Sequence, residues 1–335
     1  MDVSSCSNVW VYLEEKDGTL RNSCLELLSR GRDIADRTGG RLTGVYIGQS
    51  ADQAAKTAAE YGADQTIRIH IADAIGTAGK AQALASLTEK YRPAVILFSD
   101  TDDGSEIAAR LAGKLKTSAA MNCQSLTAGK DGSIVWTRSI YAGNALLSLS
   151  SPEIRPQIAT FRAGVFEKKK SETAKDIQIV QEEIAGIPGN SHIKIIDTIK
   201  NAQDASGIPL EEAKVVVSGG RGMGTAENFA LVKELADLLG GAVGATRAVI
   251  DAGWISAPHQ VGQSGKTVRP DLYIACGISG AIQHLSGMKG SKIIVAINKD
   301  ADAPIFKIAD YAVVGDVLEI LPALIDAIKE EKSAV

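Results

Sequence analysis

The chain has 335 residues, enough for about two domains that each bury a core of their own. With 45% hydrophobic and 23% charged residues it is not a disordered chain, and 36 basic against 40 acidic residues is too balanced for a protein whose main work is gripping a phosphate backbone. Four scattered cysteines without a CxxC pair, and only four histidines, argue against a disulfide scaffold or a cysteine-bound metal cluster.

Val9 to Leu13 is a short apolar run that predicts a first strand. Leu20, Cys24, Leu27, Leu28 and Ile34 then recur at helical spacing as far as Thr38, where Gly39-Gly40 ends the helix. Strands are expected at Leu42–Ile47, Gln65–Ile69 and Ala94–Ser99, with helices at Ala51–Tyr61, Ala81–Lys90 and Ile107–Leu115. Alternation with short connections predicts a parallel sheet covered on both faces. Beyond Leu115 the runs Ser133–Tyr141, Ala145–Leu149 and Gln157–Ala163 are expected to pair as mixed or antiparallel additions to the same domain. The Lys- and Glu-rich stretch 167–176 reads as surface, Ile193–Ile199 as one more strand, and 200–213 as a linker holding the domain boundary.

A second α/β rhythm follows. Strands are expected at Lys214–Ser218, within Gly244–Ile250, and at Leu272–Cys276, Lys292–Ile297 and Tyr311–Val314. Helices are expected at Asn228–Leu239, from about Ala281, and at Val317–Lys329. Glycine punctuates the carboxyl ends of these strands, where open parallel sheets place their ligands. The chain is glycine-rich and poor in aromatics, so the core is built from Ala, Ile, Leu and Val. No apolar run approaches the roughly 20 residues that span a bilayer. The start, with Asp2, Glu14 and Glu15, does not have a signal peptide's basic-then-apolar order, so a cytoplasmic location is expected.

Four segments could carry chemistry. Ser218-Gly219-Gly220-Arg221-Gly222-Met223-Gly224 follows a Val-rich strand; its glycines could expose N–H groups to an anion, with Arg221 matching phosphate oxygens, or could serve only a tight turn. Its register is not GxGxxG. Gln260-Val261-Gly262-Gln263-Ser264-Gly265-Lys266-Thr267 lacks the first glycine of a P-loop and leads into Val268-Arg269-Pro270 instead of a helix. What remains is a polar loop with two amides, a hydroxyl and an ammonium, suited to the edge of a heteroaromatic ring.

Gly277-Ile278-Ser279-Gly280-Ala281-Ile282-Gln283-His284 again follows a strand and suits a phosphate. His284 and His259 are read either as ligand contacts or as structural hydrogen bonds. Asn298-Lys299-Asp300 and Asp316 sit at strand ends, where they could bind ribose hydroxyls or cap helices; for Asp316 capping is the expectation. Arg247 could lie against a ring or form a surface ion pair. These residues show no nucleophile–base pair. They point to a nucleotide-type cofactor, held mainly by the second domain, that performs the redox chemistry itself.

These segments closely resemble the alpha subunit of electron transfer flavoproteins. The likeness runs through Gly220-Arg221-Gly222, Glu227-Asn228-Phe229, Ala245-Thr246-Arg247-Ala248, Asp251-Ala252-Gly253-Trp254, Gln260 to Thr267, Pro270 to Ala275, Gly277 to His284, and Ala296 to Asp300 with Ala303-Pro304-Ile305-Phe306. The resemblance implies two α/β domains with mainly parallel sheets. Residues 1–205 would contact a beta subunit, and 206–335 would form a Rossmann-like FAD-binding domain. It implies Arg221 near the FAD phosphates, Thr246 touching the cofactor, and Arg247 against the isoalloxazine. It also implies Gln260, Val261, Gly262, Gln263 and Ser264 around the ring, with the Ser264 hydroxyl, where many members have Thr, reaching flavin N5. Ser279, Gly280, Ala281, Ile282, Gln283 and His284 would line the phosphates and ring, with His284 near the pyrimidine carbonyl, and Asn298 and Asp316 would lie near the adenosine half.

Arg247, and His284 if protonated, would place positive charge beside the reduced ring. The implied partners are the electron transfer flavoprotein beta subunit and an acyl-CoA dehydrogenase or similar flavoprotein. NADH and ferredoxin would join them in a bifurcating version. No nucleic acid is expected. A nucleotide-binding scaffold without redox work is the competing class.

Overall fold

The computed structural model describes residues 6–16, 18–48, 51–70, 75–129, 133–141, 145–171, 177–184, 208–211 and 213–334. The chain divides into two compact units, Met1–Asp197 and Thr198–Val335. The boundary expected between 205 and 206, the strand expected at Ile193–Ile199 and most of the expected linker lie outside the described residues. Two of the described linker residues are core: Leu210 and Ala213 are buried in the second unit.

In the first unit β1 (Val9–Leu13) is followed by a small hairpin of β2 (Glu15–Lys16) and β3 (Thr19–Leu20) and by α1 (Asn22–Thr38). Leu20, expected in the helix, belongs to that hairpin. Next come β4 (Leu42–Gly48), α2 (Ala51–Glu60), β5 (Gln65–His70), α3 (Thr77–Tyr91), β6 (Val95–Ser99) and α4 (Asp102–Leu115). Then follow β7 (Ala119–Cys123), β8 (Ser125–Ala128), β9 (Ile134–Ile140), β10 (Ala145–Ser150), β11 (Gln157–Phe161) and β12 (Gln178–Glu182).

A seven-stranded parallel sheet runs β12-β5-β4-β1-β6-β11-β7. Every residue of β1 is buried, with Val9, Val11 and Leu13 in the core on one face and Trp10 and Tyr12 in the core on the other. That two-sided burial is what a central parallel strand requires. Gly39 ends α1 in the left-handed conformation (φ 67°), its N–H returning to Ala35 O.

Two expectations for this unit are corrected. Gln157–Phe161 is not a mixed or antiparallel addition. It lies inside the main sheet, parallel to both β6 and β7, with all five residues buried. Ser133–Tyr141 and Ala145–Leu149 do pair antiparallel, as β9 and β10, in a separate three-stranded sheet β10-β9-β8. The two edge strands of the main sheet, β7 and β12, and also β8 escaped the sequence reading because Ala, Asn, Gln and Ser dilute their strand propensity.

The second unit holds β13 (Val215–Gly219), α5 (Phe229–Leu238), β14 (Ala242–Ala245), α6 (Arg247–Asp251), β15 (Leu272–Cys276), α7 (Ile282–Met288), β16 (Ile293–Asn298), β17 (Tyr311–Val314) and α8 (Val317–Ala334). Its sheet is wholly parallel, in the order β14-β13-β15-β16-β17. The stretch expected to contain a strand at 244–250 is the end of β14 followed by the short helix α6. The first strand, β13, has its successor β14 on one side and β15 on the other. The chain therefore reverses its direction of winding between β13 and β15, the position at which open α/β sheets open a crevice at their carboxyl ends. Among the described residues no helix is long and apolar enough to cross a membrane.

Candidate functional site

The carboxyl ends of β13, β14, β15, β16 and β17 lie along one edge of one sheet, so all the sequence-selected segments emerge on the same side of the second unit. Glycines set the spacing there. Gly220 N donates to Cys276 O and Gly222 N to Gly277 O, both at 2.9 Å, lacing the loop after β13 to the loop after β15. A Cβ on Gly220 would lie 2.4 Å from Gly277 O, and one on Gly222 would lie 2.6 Å from Gly277 Cα, so only glycine allows that approach.

This corrects the first reading of the glycine loop. The two N–H groups thought available to an anion are used between loops. The segment Arg221–Met223 closes as a 3-10 turn, and α5 starts only at Phe229, so no helix end points out of the glycine run. What remains for a ligand is Arg221 itself, which is exposed.

The loop after β14 begins with Thr246, half-buried at the start of α6, and Arg247, whose side chain is 70% exposed. Among the described residues Arg247 Nε reaches Asp251 Oδ2, at 3.4 Å. An exposed i,i+4 pair of that kind holds the guanidinium weakly and leaves it free to turn toward an anionic group.

The loop 260–267 extends the sheet edge. Val261 N donates to Ala245 O (2.9 Å), at the end of β14. Lys266 N donates to Gln260 O (2.7 Å) and Gly262 N to Lys266 O (3.1 Å), closing the loop on itself. Gln260 Nε2 donates to Ser264 Oγ (2.9 Å). That hydroxyl, exposed and already accepting, keeps its own proton for a group outside the loop. The ammonium counted at the sequence level is not offered: Lys266 Nζ pairs with Glu211 Oε2 at 3.0 Å. His259 Nδ1 meets Val243 O at 2.8 Å, which is the structural reading of that histidine.

After β15, Ser279, Ala281, Ile282 and Gln283 are exposed, while Gly280 (φ 94°) is pressed against Ile305. α7 is only seven residues long. His284 turns inward, where Nδ1 lies 3.0 Å from Val261 O and Nε2 lies 3.0 Å from the Tyr273 hydroxyl. Burial pushes its pKa down to about 4. The positive charge that a protonated His284 would have supplied is therefore absent near neutral pH, and neither ring nitrogen faces out. Tyr273, which the sequence places only within the strand Leu272–Cys276, is the missed member of this group. A tyrosine in an apolar strand carries no sequence signal of its hydroxyl's partner.

Asn298 ties two loops, donating from Nδ2 to Ile278 O (2.9 Å) while its Oδ1 accepts from Asp300 N (3.0 Å). Asp316 Oδ1 accepts from Leu318 N at 2.9 Å, capping α8 as its sequence position predicts.

Fold and site together define a two-unit α/β protein. Its second sheet carries an edge built from packed glycine loops and exposed Arg, Gln and Ser side chains. The described donor set fits a flavin nucleotide: cations for a diphosphate or an anionic ring, amides and a hydroxyl for ring edges, and glycine loops packed closer than any Cβ allows. Comparison with known proteins agrees. The family description "Electron transfer flavoprotein domain" matches residues 9–185, and "Electron transfer flavoprotein FAD-binding domain" matches 209–289. The chain is 42% identical to the electron transfer flavoprotein subunit alpha of Thermoanaerobacterium thermosaccharolyticum, covering 97% of this chain and 98% of that one. It is 40% identical to the Megasphaera elsdenii subunit alpha over 99% of both chains. It is 36% identical to the acryloyl-CoA reductase electron transfer subunit beta of Anaerotignum propionicum, covering 99% of this chain and 98% of that one. The chain belongs to the electron transfer flavoprotein alpha-subunit family.

Proposed function

We propose that this chain is the FAD-carrying alpha subunit of a heterodimeric electron transfer flavoprotein. Residues 1–205 would face a beta subunit and 206–335 would hold the cofactor. The observation that carries the reading is the single sheet edge that gathers exposed Arg221, Arg247, Gln263, Ser264, Ser279 and Gln283 around laced glycine loops. Bound FAD supplies reversible electron uptake. The chain's own residues do the rest. Arg221 faces the diphosphate, with Ser279 to Gln283 completing that wall. Gln260 to Ser264 and Thr246 would hold the ring edge, with the Ser264 hydroxyl available to donate to it. Arg247 would set positive charge beside the ring, where negative charge gathers on electron uptake. Asn298 and Asp316 hold the loops of the adenosine side.

The redox partner that fits best is an acyl-CoA dehydrogenase or similar flavoprotein; an enzyme acting on a CoA ester, acryloyl-CoA reductase, stands in the name of one relative. A bifurcating complex that oxidises NADH and reduces ferredoxin is the second version of the same reading. Co-purification with the neighbouring subunit, a count of flavins per heterodimer, and anaerobic addition of NADH test it. One FAD without bleaching is the simple carrier. Two flavins bleached by NADH mark the bifurcating complex. A colourless heterodimer that binds only a nucleotide overturns the proposal in favour of a scaffold.

A further inference from the structure

Val261 is clamped on both sides of its backbone by groups from outside the 260–267 loop. Its N–H donates to Ala245 O at 2.9 Å, and its carbonyl meets His284 Nδ1 at 3.0 Å. A carbonyl only accepts, so Nδ1 carries the hydrogen. In a neutral imidazole Nε2 must then accept, and the group 3.0 Å from it is the Tyr273 hydroxyl, which must donate. Tyr273 is fully buried and His284 is 6% exposed, so no solvent donor replaces that hydroxyl. The chain of donors has one direction: from β15, through α7, to the carbonyl of the ring loop.

The surroundings make this polarity matter. Gly262 (φ 144°) backs onto α7: a Cβ on it would lie 2.9 Å from Gln283 O, and one on Gly287 would lie 2.5 Å from Gly262 Cα. Gln263 N donates to Gln283 O at 2.8 Å. Loop and helix dovetail without side chains between them, and the imidazole is the side-chain pin at that junction. If the Val261 peptide rotates, Gln260 on one side and Gly262 to Ser264 on the other swing with it.

We propose that Tyr273 is a positioning residue for the cofactor loop: by donating to His284 Nε2 it fixes the imidazole as the Nδ1–H tautomer that holds the Val261 carbonyl in the wall and turns Gln260 and Ser264 toward the ligand. The proposal rests on the flavin reading above and adds a residue that touches no ligand. Removing the hydroxyl leaves Nε2 a buried, unpaired acceptor and takes away one of the two bonds that hold the ring in place.

The test uses the full-length chain co-expressed with its partner subunit and labelled with 15N-histidine. In the wild type, His284 is expected as a neutral Nδ1–H imidazole at pH 7, with and without FAD. Tyr273→Phe is expected to move the Nε2 resonance to that of an unpaired acceptor, to weaken FAD binding on the order of tenfold, and to change the visible circular dichroism of the bound flavin. Ile294→Val, a loss of packing in the same core cluster, is expected to lower stability and leave both flavin readouts alone. An Nε2–H or charged His284 in the wild type overturns the proposal even if the variant does not fold. A Tyr273→Phe protein with wild-type FAD affinity and flavin dichroism also overturns it while leaving the flavin reading intact. A wild-type heterodimer that takes up no FAD overturns that reading and this inference with it.

Discussion

The two units carry the same topological device with opposite chemistry at its mouth. In the first sheet the reversal falls between β1 and β6, and the chain's own polar side chains close the strand ends. Thr101 Oγ1 donates to Glu14 Oε2 (2.8 Å), and the Ser23 and Ser99 hydroxyls meet at 2.8 Å. Asp100 accepts from Thr160, Ser105 and Asn122 at 2.5 to 2.8 Å, and Arg162 Nε donates to Asn122 Oδ1 (2.8 Å). In the second sheet the reversal falls between β13 and β15. There glycines bring the loops together, and the polar side chains face outward. The fold fixes where a ligand could sit; the strand-end residues decide whether one can.

The largest expected effect comes from putting a side chain into each mouth. Gly277 holds φ 62°, and a Cβ there would lie 2.8 Å from Gly222 backbone atoms; in the first unit a Cβ on Gly104 would lie 2.2 Å from Ser99 O and 2.7 Å from Glu14 Oε1. Gly277→Val and Gly104→Val are each expected to cost about 3 kcal/mol or more in urea unfolding. Only Gly277→Val is expected to strip flavin from the protein that remains folded. Equal flavin loss in both would erase the contrast between the two mouths.

Acid titration of the buried groups should act on the two units in opposite directions. His284 has a pKa lowered by burial from 6.5 to about 4 in the folded chain. The unfolded chain therefore binds the proton first, and the second unit loses stability as pH falls from about 6.5 toward 4, by up to about 3 kcal/mol. Burial raises Glu14 and Glu26 above the ordinary carboxylate value, against the lowering effect of hydrogen bonds from Thr101 to Glu14 and from the Gly164 and Phe166 amides to Glu26. Their folded forms bind the proton first, so their contribution to the first unit is lost as pH rises through the raised values. Urea unfolding read by hydrogen exchange in β1 and β15 peptides separates the trends. Unchanged pH slopes in His284→Gln for the second unit, and in Glu14→Gln with Glu26→Gln for the first, would remove these groups as the cause.

Much of this contrast could be read from residues, and its limits are physical. Val9–Leu13, Leu42–Gly48 and Val215–Gly219 announce themselves because buried parallel strands are continuous apolar runs. Gly39 shows where α1 stops, because few other residues take that backbone angle without strain. Gln157–Phe161 was misassigned because neighbours far along the chain, β6 and β7, determine whether a short strand pairs parallel or antiparallel. The glycine loop was found, but the direction of its N–H groups was not, since that depends on the carbonyls of Cys276 and Gly277 more than fifty residues away. Lys266 looked free for the same reason: Glu211 pairs with it from a stretch that reads as linker. The inward turn of His284 is set by Val261 and Tyr273, neither of which has a pattern that a sequence displays.

A smaller effect distinguishes the exposed cation from the buried imidazole. Arg247 is expected to carry the charge beside the ring, since His284 is neutral. Arg247→Ala should lower the one-electron potential of bound flavin by tens of mV, the size expected of one solvent-screened charge. His284→Gln should affect FAD retention more than the potential. A redox titration of Arg247→Ala superimposed on that of wild type would take the charge role away from Arg247.

The smallest effect tests whether Lys266 belongs to the site at all. Its sequence neighbourhood, Gly265-Lys266-Thr267, resembles the end of a phosphate loop, whereas its ammonium lies 3.0 Å from Glu211 Oε2, with both side chains 34% exposed. A partly exposed pair of that kind contributes about 0.5 kcal/mol. Its backbone does more, since Lys266 N and O close the loop through Gln260 and Gly262, and those bonds survive any change of side chain. Lys266→Ala is therefore expected to lower stability by about that amount and to leave the FAD dissociation constant and its salt dependence unchanged. A lysine holding a diphosphate would give the reverse: several-fold weaker binding, a shallower dependence on ionic strength, and a greater loss than Glu211→Gln produces.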